Sequence, residues 1–256
     1  MTFFQVLILS VVQGLTEFLP VSSSGHLVIF QKFFGLKPPV LFDILLHVGT
    51  LGAIIFYFRR GLAQIVSGLA QKNKESVNTL WLVVLGTIPA ALIGWFFEKQ
   101  ITSAFDSLKA VGLAFLFTAA LLFSTRWVKK PNRHFNQLKW LDALLIGIFQ
   151  AIAILPGISR SGSTIVSGLW RGLSQETAFV FSFYLAIPAI LGALILKSGD
   201  ILVYSQTELI QGLVGMVLAG IVGFFALKIL EKTLKTAKLW YFGIYCLVLG
   251  IIILLA

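Results

Sequence analysis

The stretch "VVQGLTEFLPVSSSGHLVIF", residues 11–30, places Gln13, Glu17, three consecutive serines and His26 in an otherwise apolar region. Polar and charged groups are costly in hydrocarbon unless other protein groups or water compensate them. Pro20 and Gly25 also argue against one unbroken helix, because both residue types end helices. We therefore expect a helix–loop–helix hairpin with a polar tip, and a second polar segment that meets it.

The composition of the whole chain is that of a polytopic membrane protein. Of its 256 residues, 58% are hydrophobic and only 12% are charged, whereas about a quarter of a soluble domain is charged. Six apolar runs are long enough, or nearly so, to cross a hydrocarbon core about 30 Å thick. They are residues 41–58, 79–97, 108–127, 177–196, 208–228 and 239–256. The amino terminus has neither the basic segment nor the cleavage site of a signal peptide.

A second apolar stretch, residues 141–173, is broken by "LPGISRSGST" at residues 155–164. Pro156, Gly157 and Gly162 would end helices there, as Pro20 and Gly25 do in the first stretch. Helical arms over residues 3–12 and 164–173 would reach only about halfway across a membrane. The predicted fold is therefore an all-α polytopic membrane protein with about six transmembrane helices and two re-entrant helix hairpins.

The distribution of positive residues gives an orientation. If the segment 59–78 is cytoplasmic, six spans leave fourteen Lys and Arg residues inside and five outside, with Arg160 within the second hairpin. This excess matches the positive-inside bias of membrane proteins. The first hairpin then enters from the outer face and the second from the cytoplasm. The same clustering between spans argues against a nucleic-acid partner, despite a net charge of +10.

Each hairpin precedes three spans, so the chain divides into halves of opposite topology. A shift of 137 residues aligns four polar or glycine positions in the two broken stretches. The aligned pairs are Gln13 with Gln150, Ser22 with Ser159, Ser24 with Ser161 and Gly25 with Gly162. We interpret the chain as one integral membrane domain, residues 1–256, built as an inverted-topology repeat with halves 1–127 and 139–256.

The first hairpin carries acid–base candidates. Gln13 and Glu17 are four residues apart and share one face of a helix. A carboxylate in such a helix usually faces a functional cavity, although a capping or packing contact is the alternative for Glu17. His26 beside Glu17 and three hydroxyls is a candidate acid, base or nucleophile, and a buried structural histidine is its alternative.

The second hairpin carries an anion-binding candidate. Arg160 lies between Ser159 and Ser161, with Thr164 following, in a loop that precedes a short helix. A guanidinium, hydroxyls and helix-start N–H groups are what a phosphate needs. Pairing with Glu17 is the structural alternative for Arg160. Asp43 and His47 form another pair spaced by four, which either lines the cavity or makes a local hydrogen bond; Cys246, the single cysteine, excludes an intramolecular disulfide.

Both motifs resemble those of the bacterial undecaprenyl pyrophosphate phosphatase family, the bacitracin-resistance type. "QGLTEFLPVSSSGH" (residues 13–26) is similar to the family's (E/Q)xxxE motif with its Ser-rich turn and His, and "PGISRSGST" (residues 156–164) to its PGxSRSxxT motif. The resemblance implies hydrolysis of undecaprenyl (C55) diphosphate to undecaprenyl phosphate and inorganic phosphate, which recycles the lipid carrier for cell-wall synthesis. It also implies a divalent cation, Mg²⁺ or Ca²⁺, and a bacterial plasma membrane.

The resemblance carries functional roles to individual residues. Glu17, Ser23, His26 and Arg160 are the expected catalytic residues. Expected substrate contacts are Gln13, Ser22, Ser159, Arg160, Ser161 and Thr164. Glu17 is the expected metal ligand, and Gln13, where the family has Glu or Gln, is a second candidate.

Several alternatives stay open. Either Ser23 attacks the phosphorus, activated by His26 or Glu17, or His26 activates a water. A flippase or transporter of the polyprenyl phosphate is the rival function, since inverted repeats with broken helices are typical of transporters. A structural scaffold does not account for Glu17, His26 and Arg160 at hairpin tips. The expected partners are the lipid and the bilayer, a homodimer is an open alternative to a monomer, and the site is expected to face the outer side.

Overall fold

The computed structural model of the chain is built of α-helices. It describes residues 1–36, 40–128, 131–197, 205–236 and 238–255. Within these ranges the chain forms twelve α-helices and two short 3₁₀ turns, and no strand. The prediction of an all-α polytopic membrane protein is confirmed. Lys37, Lys129 and Lys130, which enter the count of positive residues, lie outside the described ranges.

The first half begins with a hairpin of two helices that is followed by three long helices. In chain order its helices are α1 (Phe3–Phe18), α2 (Ser23–Phe33), α3 (Val40–Tyr57), α4 (Arg59–Ala70), α5 (Lys74–Phe96), α6 (Glu98–Asp106) and α7 (Leu108–Ser124). The second half repeats this order without the two short helices. Its helices are α8 (Trp140–Ile152), α9 (Arg160–Trp170), α10 (Gln175–Lys197), α11 (Gln206–Lys235) and α12 (Trp240–Leu255).

The six predicted spans correspond to α3, α5, α7, α10, α11 and α12. By length and composition, four of the described helices can cross a membrane alone: α5, α7 with its 3₁₀ extension, α10 and α11. α3 passes the same test only together with α4, which is bent away from it by 74°. α12 has 16 residues and is shorter than the other spans.

The hairpin arms differ from the sequence expectation in length. α1 continues through Gln13 and Glu17 to Phe18 and has 16 residues, and α9 begins at Arg160 rather than at Thr164. At the tip the Glu17 carboxylate accepts hydrogen bonds from Ser23 and Arg160, and Gln13 Nε2 donates to Glu17 within the helix, so neither residue ends it. Pro20 follows two residues after α1 and limits its extension. At about 1.5 Å per residue, α1 still measures only about 24 Å, shorter than a hydrocarbon core.

Two surface helices were missed by the sequence interpretation. The segment 59–78, treated as a linker, contains α4, and α6 follows α5 before the next span. Both are short and expose their polar residues, so they lack the long apolar run by which spans were identified. α4 packs against α5. Amphipathic helices of this kind are typical of membrane interfaces.

The long helices pack in reciprocal pairs. α1 packs on α11, and its counterpart α8 packs on α5; α3 packs on α11, and its counterpart α10 packs on α5. α7 and α12, which are counterparts of each other, pack together. This arrangement is what a two-fold relation between the halves produces. The boundaries at residues 127 and 139 stay a prediction.

Glycines allow the closest helix approaches. A Cβ on Gly49 of α3 would lie 2.0 Å from the backbone oxygen of Met216 in α11, and one on Gly147 of α8 would lie 2.3 Å from that of Gly86 in α5. Helices inside a membrane associate through such close packing of small residues, because hydrocarbon supplies no hydrophobic drive between them.

A buried carboxylate fastens the second hairpin at its open end. Asp142, at the start of α8, is fully buried. It accepts hydrogen bonds from Arg133 Nη2 at 2.6 Å, from Arg171 Nε at 2.8 Å and from the backbone N–H of Lys139 at 2.9 Å. Because Arg171 follows α9 directly, this cluster ties the start of α8 to the end of α9.

Replacing Asp142 should destabilise the protein strongly. Asp142→Ala removes the buried acceptor of two guanidinium groups that are themselves partly exposed, so we expect a loss of about 1.5–3 kcal/mol in the free energy of unfolding. The measurement is reversible denaturation in detergent micelles. Lys235→Ala, which removes only the exposed Lys235–Glu231 pair, is the control and should cause no measurable loss. Equal effects of the two substitutions would contradict the assignment of Asp142.

Candidate active site

The tips of the two hairpins are in contact. The backbone N–H of Gly157 donates to Ser22 Oγ at 3.1 Å, and Ser161 Oγ donates to the backbone oxygen of Leu19 at 3.3 Å. Gly157 has φ +98°, and a Cβ there would lie 2.6 Å from the backbone oxygen of Val111. The second tip can therefore pass this close to α7 only with glycine at the position.

The two tips share one local geometry. Ser22 caps α2 by accepting from the N–H of Gly25 at 3.3 Å, and Ser159 caps α9 by accepting from the N–H of Gly162 at 3.1 Å. In each tip the capping hydroxyl lies 3.3 Å from the hydroxyl two residues later, which belongs to Ser24 or Ser161. Residues 137 positions apart in the two tips therefore make equivalent hydrogen bonds. Ser22, Ser159 and Ser161, all predicted substrate contacts, make hydrogen bonds that build and join the tips.

Ser22 adopts an unusual backbone conformation. Its φ is +70°, a region that non-glycine residues rarely occupy. Such residues cluster at functional sites, where the surrounding structure holds the strain. Here the hydrogen bonds to Gly25 and Gly157 fix the residue that directly precedes Ser23.

Three of the predicted residues converge on the carboxylate of a fourth, Glu17, which is 8% exposed. Oε1 accepts a hydrogen bond from Arg160 Nη2 in an ion pair. Oε2 accepts from Ser23 Oγ at 2.5 Å and from Gln13 Nε2 at 3.1 Å. A charged acceptor strengthens each of these bonds. The carboxylate therefore joins the end of α1 to the starts of α2 and α9.

His47 also reaches this cluster. Its Nε2 lies 3.8 Å from Glu17 Oε2, and its Nδ1 lies 2.7 Å from the backbone oxygen of Asp43. A carbonyl can only accept, so Nδ1 carries a hydrogen. The local hydrogen bond predicted between Asp43 and His47 is present, and the backbone oxygen of Asp43 is its acceptor. The His47 ring also borders the site. Its side chain is 33% exposed, which places it at the edge of the site.

His26 is held away from the carboxylate. It is 4% exposed, with Nδ1 2.7 Å from the backbone oxygen of Ser22 and Nε2 2.6 Å from Tyr245 Oη. Its ring stacks on Tyr245 and meets Phe115 edge-on. Both nitrogens thus have partners, and among the described residues no hydrogen bond joins His26 to Ser23 or Glu17. In this geometry His26 supports the first tip.

Thr164 and Thr118 support the second tip. Thr164 Oγ1 bonds the backbone oxygen of Arg160 at 2.8 Å and the hydroxyl of Ser182 at 2.6 Å, so it fixes α9 to α10. Thr118 of α7 accepts from the N–H of Ser159 at 3.1 Å and donates to the oxygen of Gly157 at 2.9 Å. Thr118 lies in an apolar helix and no sequence pattern identified it.

Buried polar atoms without partners concentrate in the hairpins. In the part of the chain that the structure describes, the buried side-chain atoms without a hydrogen bond are Gln13 Oε1, Gln150 Nε2 and Oε1, Arg160 Nη1 and Ser163 Oγ. An unsatisfied buried group costs about 1–3 kcal/mol, so each one calls for a ligand, water or function. Arg160 Nη1 is a donor suited to an anion. Gln13 Oε1, beside Glu17, is an acceptor suited to a cation.

The oxygens of Glu17 and Gln13 suit a divalent cation that takes few protein ligands. No group of three or more His, Cys, Asp or Glu side chains among the described residues could hold a metal ion alone. Mg²⁺ commonly keeps several waters and takes one or two protein carboxylates together with substrate phosphates. Glu17 and Gln13 Oε1 offer ligands for that mode of binding.

Known proteins resemble this chain over nearly its full length. A family model described as bacitracin resistance protein BacA matches residues 6–252. Relatives named undecaprenyl-diphosphatase include one from Desulfatibacillum aliphaticivorans, 40% identical, covering 100% of this chain and 99% of that protein. Those from Carboxydothermus hydrogenoformans and Korarchaeum cryptofilum are 42% and 41% identical, covering 99% and 98% of this chain and 97% of each relative. The chain belongs to the bacitracin resistance protein BacA family.

Proposed function

We propose that the protein hydrolyses undecaprenyl diphosphate to undecaprenyl phosphate and inorganic phosphate. This reaction recycles the lipid carrier for cell-wall synthesis and gives bacitracin resistance. The observation that carries the proposal is the Glu17 carboxylate, held between the Arg160 guanidinium and the Ser23 hydroxyl where the two hairpins meet. Relatives named undecaprenyl-diphosphatase support the same activity.

Arg160 supplies the anion-binding charge. Its Nη2 pairs with Glu17, while Nη1 is buried without a partner and can donate to a phosphate oxygen. The residue is the first of α9, where N–H groups without intrahelical partners also favour an anion. Fixed donors of this kind stabilise the charge that develops on transferring phosphoryl groups.

Ser23 is positioned as the nucleophile. Its hydroxyl donates to Glu17 Oε2 at 2.5 Å, so the carboxylate can take the proton as Oγ bonds to the terminal phosphorus. The bond from that phosphorus to the bridging oxygen then breaks, and the lipid monophosphate leaves. Water hydrolyses the phosphoserine, which releases inorganic phosphate and restores the hydroxyl. Both nitrogens of His26 are engaged elsewhere, which disfavours water activation by His26.

A divalent cation, Mg²⁺ or Ca²⁺, bound by Glu17 and Gln13 would neutralise part of the diphosphate charge. Within the chain, Gln13 also donates to Glu17 Oε2, so it orients the carboxylate as well as offering Oε1. The proposal needs no further protein ligand.

An apolar groove beside the second tip suits the prenyl chain. It has a volume of about 560 Å³ and is lined by apolar side chains of α5, α6 and α8, with Gln100 as the polar exception. Leu155, at one end of the lining, precedes Arg160 by five residues. We propose that the apolar tail of a lipid whose headgroup lies at Arg160 occupies this groove and the bilayer.

We place the protein in the bacterial plasma membrane as a multi-pass protein whose site faces outward. The excess of positive residues in the segments assigned inside supports this orientation. A chain of polar contacts also connects Glu17 with the α2–α3 connection. His47 contacts Glu17 and the backbone oxygen of Asp43. The Asp43 carboxylate accepts a hydrogen bond from Gln31 Nε2 at 3.1 Å. Gln31 and Asp43 flank the α2–α3 connection, which that orientation puts outside. A homodimer stays a prediction.

Lipid translocation is the second candidate function. Two halves that pack reciprocally, each containing a helix hairpin in place of an unbroken span, are typical of transporters. The two functions separate in detergent, where phosphate can be released but no membrane exists to cross.

Removing either partner of the central ion pair should abolish most activity. We expect Glu17→Gln and Arg160→Gln to lower kcat/KM for farnesyl diphosphate by about 10²-fold or more, because each removes charge from the reacting centre. The measurement is phosphate release by purified protein in detergent with Mg²⁺. Arg59→Gln, on the exposed surface of α4, is the matched control and should keep the wild-type rate. Full activity in both site variants, with unchanged melting temperature, would refute the site.

The covalent route predicts a phosphoserine. Rapid quenching with farnesyl diphosphate labelled at its terminal phosphate should give labelled protein, because Ser23 Oγ accepts that group. The label should disappear in Ser23→Ala and persist in His26→Gln, in which only a supporting contact is changed. A single turnover that releases phosphate with no labelled protein at any time would instead favour direct attack by water.

A further inference from the structure

Gln150 is a buried amide that the chemistry above leaves unused. It lies in the last turn of α8 and is 2% exposed. Within the described residues, neither its Nε2 nor its Oε1 has a hydrogen-bond partner. The hairpin to which it belongs also carries Arg160, whose Nη1 is buried and unpaired as well.

The correspondence between the hairpins places Gln150 relative to Arg160. The 137-residue shift pairs Gln13 with Gln150 and Ser23 with Arg160, and the capping geometry at the two tips is the same. In the first hairpin, Gln13 Nε2 and Ser23 Oγ donate to the same oxygen, Glu17 Oε2. α8 and α9 pack together, and the correspondence gives Gln150 the position relative to Arg160 that Gln13 has relative to Ser23.

The second hairpin has no carboxylate to receive these donors. The residue that corresponds to Glu17 is Ile154, which follows the end of α8 at Ile152 and lines the apolar groove. In the first hairpin the donors converge on an acceptor that the protein supplies. In the second, Gln150 Nε2 and Arg160 Nη1 are left for an acceptor from outside the chain.

We propose that Gln150 Nε2 and Arg160 Nη1 form an anion subsite for the phosphoryl group that stays on the lipid. The subsite rests on the proposed function. Arg160 spans the two phosphoryl positions: Nη2 lies at Glu17, beside Ser23 and the reacting phosphorus, and Nη1 serves the neighbouring phosphoryl group. Gln150 thereby contributes to the recognition of a diphosphate, and it also binds the monophosphate lipid product.

Gln150→Leu separates this role from a structural one. The substitution keeps much of the volume and removes two unsatisfied polar atoms, so the melting temperature should rise or stay unchanged. Loss of a hydrogen bond to a charged phosphate should weaken binding of farnesyl methylenediphosphonate, a non-hydrolysable analogue, by about tenfold or more. KM for farnesyl diphosphate and the inhibition constant of farnesyl phosphate should rise by similar factors, with a smaller change in kcat. A merely structural amide would give none of these binding changes.

Ser163→Ala is the matched control. Ser163 is 1% exposed, lies on the same hairpin and has an unpaired Oγ. Its counterpart in the first hairpin, His26, points away from Glu17 toward Tyr245. We therefore expect Ser163→Ala to bind the analogue with wild-type affinity.

The outcomes separate the subsite from the proposed function. Wild-type protein that binds the analogue but releases no phosphate from farnesyl diphosphate would refute the hydrolase and leave the subsite to be judged by binding alone. An active wild type together with a Gln150→Leu variant of unchanged analogue affinity and unchanged KM would overturn the subsite and leave the hydrolase standing. A Ser163→Ala variant that loses the same affinity as Gln150→Leu would also overturn it, since the effect would then come from the packing of the hairpin.

Discussion

A carboxylate buried in an apolar helical bundle must be compensated, and the compensation of Glu17 determines how this protein is assembled. Glu17 belongs to a hairpin of the first half, and its charged partner Arg160 belongs to a hairpin of the second, 143 residues later. Removing one member of such a pair leaves the other charge uncompensated, which is strongly destabilising. The pair therefore holds together two loops that would otherwise expose irregular backbone within a membrane, where only protein or a water-filled cavity can satisfy it.

The two hairpins share a backbone geometry but carry different chemistry. Both place a serine cap before a short helix, and the first residue of that helix is Ser23 in one and Arg160 in the other. One half thus supplies a carboxylate and a hydroxyl, and the other supplies a guanidinium. Because the two tips are in contact, these complementary groups meet at one place. A phosphate placed there would have the Ser23 hydroxyl on one side and the Arg160 guanidinium on the other.

The sequence was most informative where polar residues interrupt apolar runs. Pro20, Pro156 and Gly157 lie in the non-helical tips, as predicted, and Glu17 with Arg160 predicted the contact between the hairpins. Gly25 and Gly162 were wrongly expected to end helices, since they lie in the first turns of α2 and α9. The predicted length of α1 was wrong, because Glu17 is compensated by Arg160, which is distant in sequence, and Gln13 bonds to Glu17 within the helix. α4 and α6 were missed because they are too short and polar to register as spans. His47 borders the site through a contact between α1 and α3, and the direction of His26 depends on Tyr245 of α12. Neither tertiary contact can be derived from local spacing.

A cysteine cross-link between the tips tests the central claim, that both hairpins form one site. A Cβ on Gly162 would lie 3.3 Å from the Cβ of Pro20, close to the separation of about 3.5–4.5 Å found in disulfides. Pro20→Cys with Gly162→Cys, made with Cys246→Ala so that no other thiol remains, should form a disulfide under mild oxidation. After protease cleavage within residues 126–139, the halves should stay joined on a denaturing gel until a reductant is added, and either single cysteine should give separate halves on that gel. Halves that separate without reductant, with both thiols still open to alkylation, would contradict the account.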